Sequence, residues 1–66
     1  DGRAVIPLIR ALGDKSEWVK AYAAESLGRL GDPEAIPYLQ ALLEQEMSAA
    51  VLPRAKQALD RLRLGQ

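Results

Sequence analysis

The sequence nearly repeats itself after 31 residues, and this periodicity constrains the fold more than any other feature. With a shift of 31 the aligned pairs are Asp1 and Asp32, Ala4 and Ala35, Val5 and Ile36, Leu8 and Leu39, and Leu12 and Leu43. With a shift of 32 they are Ser16 and Ser48, Val19 and Val51, Ala23 and Ala55, Leu27 and Leu59, and Leu30 and Leu62. One residue has therefore been inserted between Leu43 and Ser48. Such a period predicts a helical repeat array, with repeats over 1–31 and 32–66 of a single domain, 1–66.

Each predicted repeat contains two apolar stripes with helical spacing. The stripes of the first repeat are Ala4, Val5, Leu8, Ile9 and Leu12, followed by Val19, Ala23, Leu27 and Leu30. Those of the second are Ile36, Leu39, Leu42 and Leu43, followed by Val51, Ala55, Leu59 and Leu62. They predict an all-α fold with four helices near 2–12, 17–30, 33–45 and 49–64 and no strands. Short connections make sequential helices antiparallel neighbours.

Residues that favour helix ends stand at the predicted boundaries. The expected N-caps are Asp1, Ser16, Asp32 and Ser48, and the expected left-handed ends are Gly13 and Gly31. Pro33 suits the first helical position after Asp32. Pro37 falls one turn further on and is expected to bend the third helix, as Pro7 bends the first.

Pro53 leaves two starting points open for the fourth helix. If the helix starts at Ala49, Pro53 lies beyond the first turn and costs roughly 3 kcal/mol. Alternatively, the helix begins at Pro53 and residues 48–52 form a looser turn, since proline disfavours helix at Leu52.

Composition restricts the chemistry that the chain can perform. The 66 residues include no Cys and no His, so the usual zinc and thiolate ligands are missing, and neither disulfides nor a metal can reinforce a domain that buries only about 60% of its unfolded surface. Nine basic and nine acidic residues balance, which argues against nucleic-acid binding. No apolar run suits a membrane span, and no signal peptide is visible. A cytoplasmic protein with no cofactor is expected.

Few side chains are candidates for catalysis. Ser16 and Ser48 are better explained as helix caps, and Ser26 as a small packing residue. Glu44 and Glu46 could form a carboxylate pair, but they precede a polar loop, and a solvated stretch is the stronger interpretation. The chain is expected not to be an enzyme.

Two stretches resemble a known family of repeats. "GDPEAIPYLQALL" and "AYAAESLGRLGD" are similar to the HEAT-like repeats of the phycobilisome-lyase type. The matching positions of the second motif are Val19, Lys20, Ala23, Ala24, Leu27, Gly28, Leu30, Gly31 and Asp32. The second repeat departs from the motif at Leu52, Pro53 and Asp60, which favours a terminal repeat, although drift within a longer array is the alternative.

The resemblance implies an α-solenoid fragment of two stacked helix pairs, with the second helices on its concave side. It also implies that Lys20 reaches a carboxylate between repeats, such as Asp14 or Asp32. The family includes scaffolds, bilin lyase subunits and enzymes, so it does not define function. Deoxyhypusine hydroxylase resembles this architecture, but its iron site needs His, which this chain lacks.

A stripe on the second helices is the candidate binding site. Its members are Trp18, Tyr22, Glu25 and Arg29 on helix two, and Arg54, Gln57 and Arg61 on helix four. Trp, Tyr and Arg are enriched at binding hot spots, so we predict that this stripe binds an acidic or mixed segment of a partner protein. In the alternative interpretation Trp18 and Tyr22 pack against the loop or the next repeat and only add to the core, and Glu25 and Arg29 form a surface ion pair.

Two repeats rarely bury enough apolar surface, because three or more are the norm. We therefore expect either a piece of a longer array or self-association through the open ends, where Ile6 and Ile9 are candidates. The predicted function is a non-enzymatic interaction module or scaffold. The alternatives are an accessory part of a bilin lyase, and an engineered repeat with no native partner.

Overall fold

The computed structural model describes residues 2–64, and the side chains of residues 4–64. It contains four α-helices: α1 (Gly2–Ala11), α2 (Glu17–Leu30), α3 (Ile36–Gln45) and α4 (Leu52–Leu64), with a short 3₁₀ helix at Pro33–Ala35. No strand occurs within this range. The helix α2 packs against α1 and against α4, and α3 packs against α4. The predicted all-α arrangement of two helix pairs is confirmed.

The ends of α2 follow the predicted capping pattern. The Ser16 hydroxyl accepts a hydrogen bond from the Val19 amide at 3.4 Å, and Gly31 is left-handed with φ 73°. Its amide donates to the Leu27 carbonyl at 3.3 Å, which satisfies one carbonyl of the last turn. The expectation for Gly13 was wrong: its φ is not positive, and its amide closes a turn on the Arg10 carbonyl at 3.0 Å. The predicted cap Asp1 lies outside the described residues.

Pro37 does not bend a continuous helix, so that prediction is corrected. The Asp32 carboxylate accepts from the Glu34 amide at 2.9 Å and starts the 3₁₀ helix, after which α3 begins anew at Ile36. Pro37 therefore lies in the first turn of α3, where an amide has no partner within the helix and its loss is harmless. Pro7 does lie inside α1.

The observed start of α4 decides between the two predicted starting points, Ala49 and Pro53. Residues 49–51 form a turn, and α4 begins at Leu52, so Pro53 lies in its first turn. Ser48 organises this turn, because its carbonyl accepts from the amides of Val51 at 3.1 Å and Leu52 at 3.0 Å, while its hydroxyl accepts from the Ala50 amide at 3.1 Å. The later of the two predicted starts is correct to one residue.

One core joins both helix pairs. Its buried members are Val5, Leu12, Ala23, Ala24, Leu27, Ala35, Leu39, Ala55, Ala58, Leu59 and Leu62. Two predicted core residues, Val19 and Leu30, each remain 38% exposed. Ala21 of α2 is also buried. The helices α2 and α4 are in close contact where Gly28 faces Ala58, and a Cβ on Gly28 would have no room there.

Candidate functional site

The aromatic members of the predicted stripe are exposed on α2. Trp18 is 80% exposed and Tyr22 68% exposed, four residues apart on one face of the helix. Neither ring is therefore part of the core within the described residues, and packing against a further repeat stays the alternative prediction. Each such ring could bury about 150–250 Å² against a partner, so two exposed rings on one face are candidates for a contact surface.

A groove of about 370 Å³ runs between α2 and the start of α4. Trp18, Tyr22 and Glu25 line it from α2, and Arg54 lines it from α4. Four further residues line the groove and are not among the predicted site residues: Ala21, Ala49, Ala50 and Pro53. The alanines are small and the proline is rigid.

Glu25 connects the two helices that border the groove. Its carboxylate accepts from the Arg29 guanidinium and from the Arg54 guanidinium, each at 2.7 Å. The pair with Arg29 lies within α2, and the pair with Arg54 joins α2 to α4. Both arginine side chains stay at least half exposed, at 67% and 50%, so their remaining donors are available to solvent.

The structure does not bring the whole predicted stripe to the groove. Gln57 and Arg61 are exposed further along α4 and do not line it. Arg29 is exposed beside Glu25 and lines a second groove, between α1 and α2. The predicted stripe contains three arginines and one glutamate, so the stripe carries an excess of positive charge.

On another side of the chain, Lys20 pairs with Glu46. The Lys20 amine donates to the Glu46 carboxylate at 2.6 Å, so the expected partners Asp14 and Asp32 were wrong. The side chains are only 18% and 10% exposed. The hydrogen bond from Lys20, followed by one from the Ser48 amide, lowers the pKa of the Glu46 carboxyl.

This contact corrects the interpretation of Glu46 as part of a solvated stretch. Glu46 connects α2 to the loop after α3, and Ser48 strengthens the connection by donating its hydroxyl to the Glu17 carboxylate. Glu44, by contrast, is exposed. Glu46 is therefore held by structural contacts with Lys20 and Ser48.

Residues 2–64 contain no group of acidic side chains that could hold a metal ion. Within the same range no helix is long and apolar enough to cross a membrane. What this part of the chain presents is an aromatic and arginine surface around a groove. Side chains of these types are common at sites that bind polar segments of other molecules.

Comparison with known proteins identifies the family. A family model described as HEAT repeats matches residues 1–62, and the chain belongs to this family. The chain is 49% identical over 53 residues to the phycocyanobilin lyase subunit alpha of Picosynechococcus sp. (strain ATCC 27264 / PCC 7002 / PR-6). The alignment covers 80% of this chain and 20% of that protein, so the chain spans about a fifth of its relative. No solved structure gives a significant match.

Proposed function

We propose that the chain is a protein-interaction module whose groove between α2 and the start of α4 binds a carboxylate-bearing segment of a partner protein. The observation that carries this proposal is the exposure of Trp18 and Tyr22 beside Arg54 at one groove. Membership of the HEAT-repeat family supports it, since α-solenoids present extended surfaces for binding.

The chemistry of the groove suggests the kind of segment that it binds. An arginine can grip a carboxylate through two parallel hydrogen bonds, and an exposed indole or phenol ring covers an apolar side chain next to it. Glu25 holds Arg54 in place in the free protein, at 2.7 Å. A bound carboxylate would add a second acceptor to a guanidinium that is already oriented.

Affinity capture with three baits tests the proposal. The baits are the native chain, the double variant Trp18→Ala/Tyr22→Ala, and the control Tyr38→Ala, which removes a 49% exposed tyrosine from α3. A partner retained by the native and control baits and lost by the double variant supports the proposal. A partner retained equally by all three places binding elsewhere and refutes it.

The charge requirement needs a separate experiment on the captured partner. Binding to Arg54→Glu should weaken strongly, because the substitution places a carboxylate where the ligand carboxylate would lie. Binding to Arg63→Glu, an exposed control at the end of α4, should weaken much less. If both substitutions weaken binding equally, the contribution is general electrostatic attraction and no carboxylate site exists in the groove.

A second function is favoured by one specific observation, the 49% identity to a phycocyanobilin lyase subunit alpha. In this alternative the chain is an accessory part of a bilin lyase and contributes to handling the chromophore. Addition of phycocyanobilin to the native chain tests it. A shifted absorption band that saturates near one pigment per chain supports the alternative, and an unchanged spectrum refutes it for this chain alone.

A further inference from the structure

The backbone that borders the groove between α2 and the start of α4 is already hydrogen-bonded. Tyr22 and Glu25 lie inside α2, where amides and carbonyls pair along the helix. At the start of α4 the Ala50 amide donates to the Ser48 hydroxyl at 3.1 Å, and Pro53 has no amide hydrogen. A segment that pairs as a β-strand needs a row of free amides and carbonyls, which these residues do not offer. The groove therefore favours a segment whose own backbone groups stay in water.

The groove is also too small to enclose a helical segment. It holds about 370 Å³. One turn of an α-helix, about 10 Å wide and about 5.4 Å long, occupies roughly 400 Å³. A polyproline II segment has no internal hydrogen bonds, and its backbone is fully solvated. Such a segment meets the requirement that the walls of the groove impose on the backbone.

The two aromatic rings of the groove have a spacing that matches this kind of segment. Trp18 and Tyr22 lie four residues apart on α2, so they are separated by about 6 Å along the helix axis. Two residues of a polyproline II segment rise by about 6.2 Å. A proline therefore falls on each ring when the segment runs along α2. Grooves lined by aromatic side chains are the surfaces on which Pro-rich segments dock.

The charged end of the groove lies beyond the rings. Glu25 follows Tyr22 by three residues, about 4.5 Å further along α2, and it accepts from the Arg54 guanidinium at 2.7 Å. Arg29 donates to the same carboxylate at 2.7 Å. A segment that runs along α2 therefore meets the two rings first and the guanidinium groups afterwards. An acidic residue of the segment is expected at one end of its prolines, where it complements this charge.

We propose that the segment bound in this groove adopts a polyproline II helix, with prolines on Trp18 and Tyr22 and an acidic residue at Arg54. The inference depends on the proposed function, because it specifies the partner of the same groove. A segment whose conformation is fixed beforehand loses little entropy on binding. Affinity in this site therefore comes from ring contacts and one charge contact, with no hydrogen bond to the backbone of the walls.

Synthetic peptides test the inference, and Trp18 is the reporter because it is the chain's only tryptophan. The main peptide has a run of six prolines flanked by two glutamates on either side, so an acidic end meets Arg54 whichever way the peptide runs. It has no aromatic residue, so all tryptophan emission comes from the protein. Trp18 is 80% exposed, and covering it should shift its emission to shorter wavelength in a saturable titration.

Three matched peptides separate conformation from charge. Glycine in place of proline keeps the charge and removes the fixed conformation, which should weaken binding at least about tenfold. Glutamine in place of glutamate should weaken binding by up to about fivefold, as expected for a half-exposed ion pair. The peptide made of D-amino acids has the same composition and the opposite hand, and it should bind as weakly as the glycine peptide.

Variants of the protein assign the contacts. Arg54→Gln should bind the glutamate and glutamine peptides equally, because the charge contact is lost. Tyr22→Ala should weaken the binding of both peptides by the same factor, because one ring is lost. Tyr38→Ala, on α3 and outside the groove, should bind like the native chain.

The outcomes distinguish this inference from the proposed function. If the glycine peptide binds as tightly as the proline peptide and Arg54→Gln weakens both, the carboxylate site is retained and the polyproline II conformation is wrong. Equal binding of the L and D peptides also overturns the inference, because proline then acts only as an apolar residue. If Arg54→Gln and Tyr22→Ala both bind like the native chain, the inference and the proposed groove are both wrong. If no peptide shifts the emission, the inference is wrong, and affinity capture decides on the function separately.

Discussion

Gly28 of α2 lies so close to Ala58 of α4 that a side chain at position 28 has no room. A Cβ built on Gly28 would lie 2.9 Å from the Cα and 3.0 Å from the Cβ of Ala58. The first of these contacts is with backbone, which cannot rotate away as a flexible side chain would. At this point the interface between the two helix pairs therefore accommodates glycine and has no room for a larger residue.

We expect Gly28→Ala to lower the free energy of unfolding by about 1–2 kcal/mol. Alanine gains about 1 kcal/mol of helix propensity over glycine, but forcing an extra methyl group into a packed interface typically costs about 1–3 kcal/mol. The backbone contact places this site toward the upper part of that range. Urea unfolding followed by circular dichroism gives the difference.

The control for this substitution is Gly13→Ala. A Cβ on Gly13 would meet only the Arg10 carbonyl oxygen, at an ordinary 3.6 Å, and Gly13 does not have a positive φ. This variant should equal the native chain or gain up to about 1 kcal/mol from a less flexible unfolded state. If Gly28→Ala were as stable as Gly13→Ala, the close contact of α2 with α4 would not be limiting.

Acid should weaken the chain partly through Glu46. Its folded-state pKa lies below the ordinary value of 4.5, because Lys20 and the Ser48 amide stabilise the carboxylate. The stabilisation is therefore complete above that value and disappears as pH falls through the lower folded-state pKa. Glu46→Gln removes this contribution, so the variant should lose less stability than the native chain between neutral pH and about pH 3.

Thermal unfolding at a series of pH values checks this expectation. Glu44→Gln is the matched control, because Glu44 is a neighbouring glutamate that is exposed. Its pH profile should follow that of the native chain. Parallel profiles for the native chain and Glu46→Gln would mean that the contact with Lys20 does not contribute to the acid sensitivity.

The contacts of Glu25 should contribute little to stability. Its partners Arg29 and Arg54 are 67% and 50% exposed, and exposed ion pairs typically contribute about 0.2–1 kcal/mol. Glu25→Gln should therefore destabilise by less than about 1 kcal/mol at low salt, and by almost nothing near 1 M salt, where charges are screened beyond about 3 Å.

A double-mutant cycle between Glu25→Gln and Arg54→Gln isolates the pair that joins α2 to α4. The coupling energy from urea unfolding should be positive and should shrink with salt. A coupling energy that stays constant in salt would assign the effect to packing of the arginine stem instead of to charge.

Leu27→Ala should be the most damaging of these substitutions. Leu27 is fully buried in the core, and removing such a side chain typically costs about 2–5 kcal/mol. A core of this size rarely supplies more than about 3–5 kcal/mol in total, so the variant should be largely unfolded at room temperature. Leu64→Ala, at an 85% exposed position, should remain folded. Circular dichroism distinguishes the two results, and a folded Leu27→Ala would contradict the assigned core.

The sequence predicts the helices well, because the apolar periodicity and the caps agree. Ser16, Asp32 and Gly31 act at the ends where they were expected. Pro37 was misinterpreted because a single helix was assumed from Pro33 onward. The 3₁₀ helix places α3 later and moves this proline into a first turn.

The contacts between the pairs were harder to predict, because they depend on loop geometry that periodicity does not describe. The residue inserted between Leu43 and Ser48 belongs to the loop that brings Glu46 to Lys20. The first repeat has no residue equivalent to this insertion, so aligning the two repeats could not predict the contact. The exposure of Leu30 could not be predicted from its spacing either. Leu30 and Leu62 occupy equivalent positions in the apolar stripes of the two repeats. They differ in exposure because a neighbouring helix pair covers Leu62 and none covers Leu30 among the residues that the structure describes.

The short connection between the two helix pairs affects how rigid the groove between α2 and α4 is. Gly31 ends α2 and Asp32 starts the next helical turn, so no flexible linker separates the pairs. A segment that enters the groove between α2 and α4 therefore meets walls already fixed relative to each other. If the proposed segment binds there, the backbone of this chain would lose little conformational entropy, and the entropic cost would come mainly from ordering the segment.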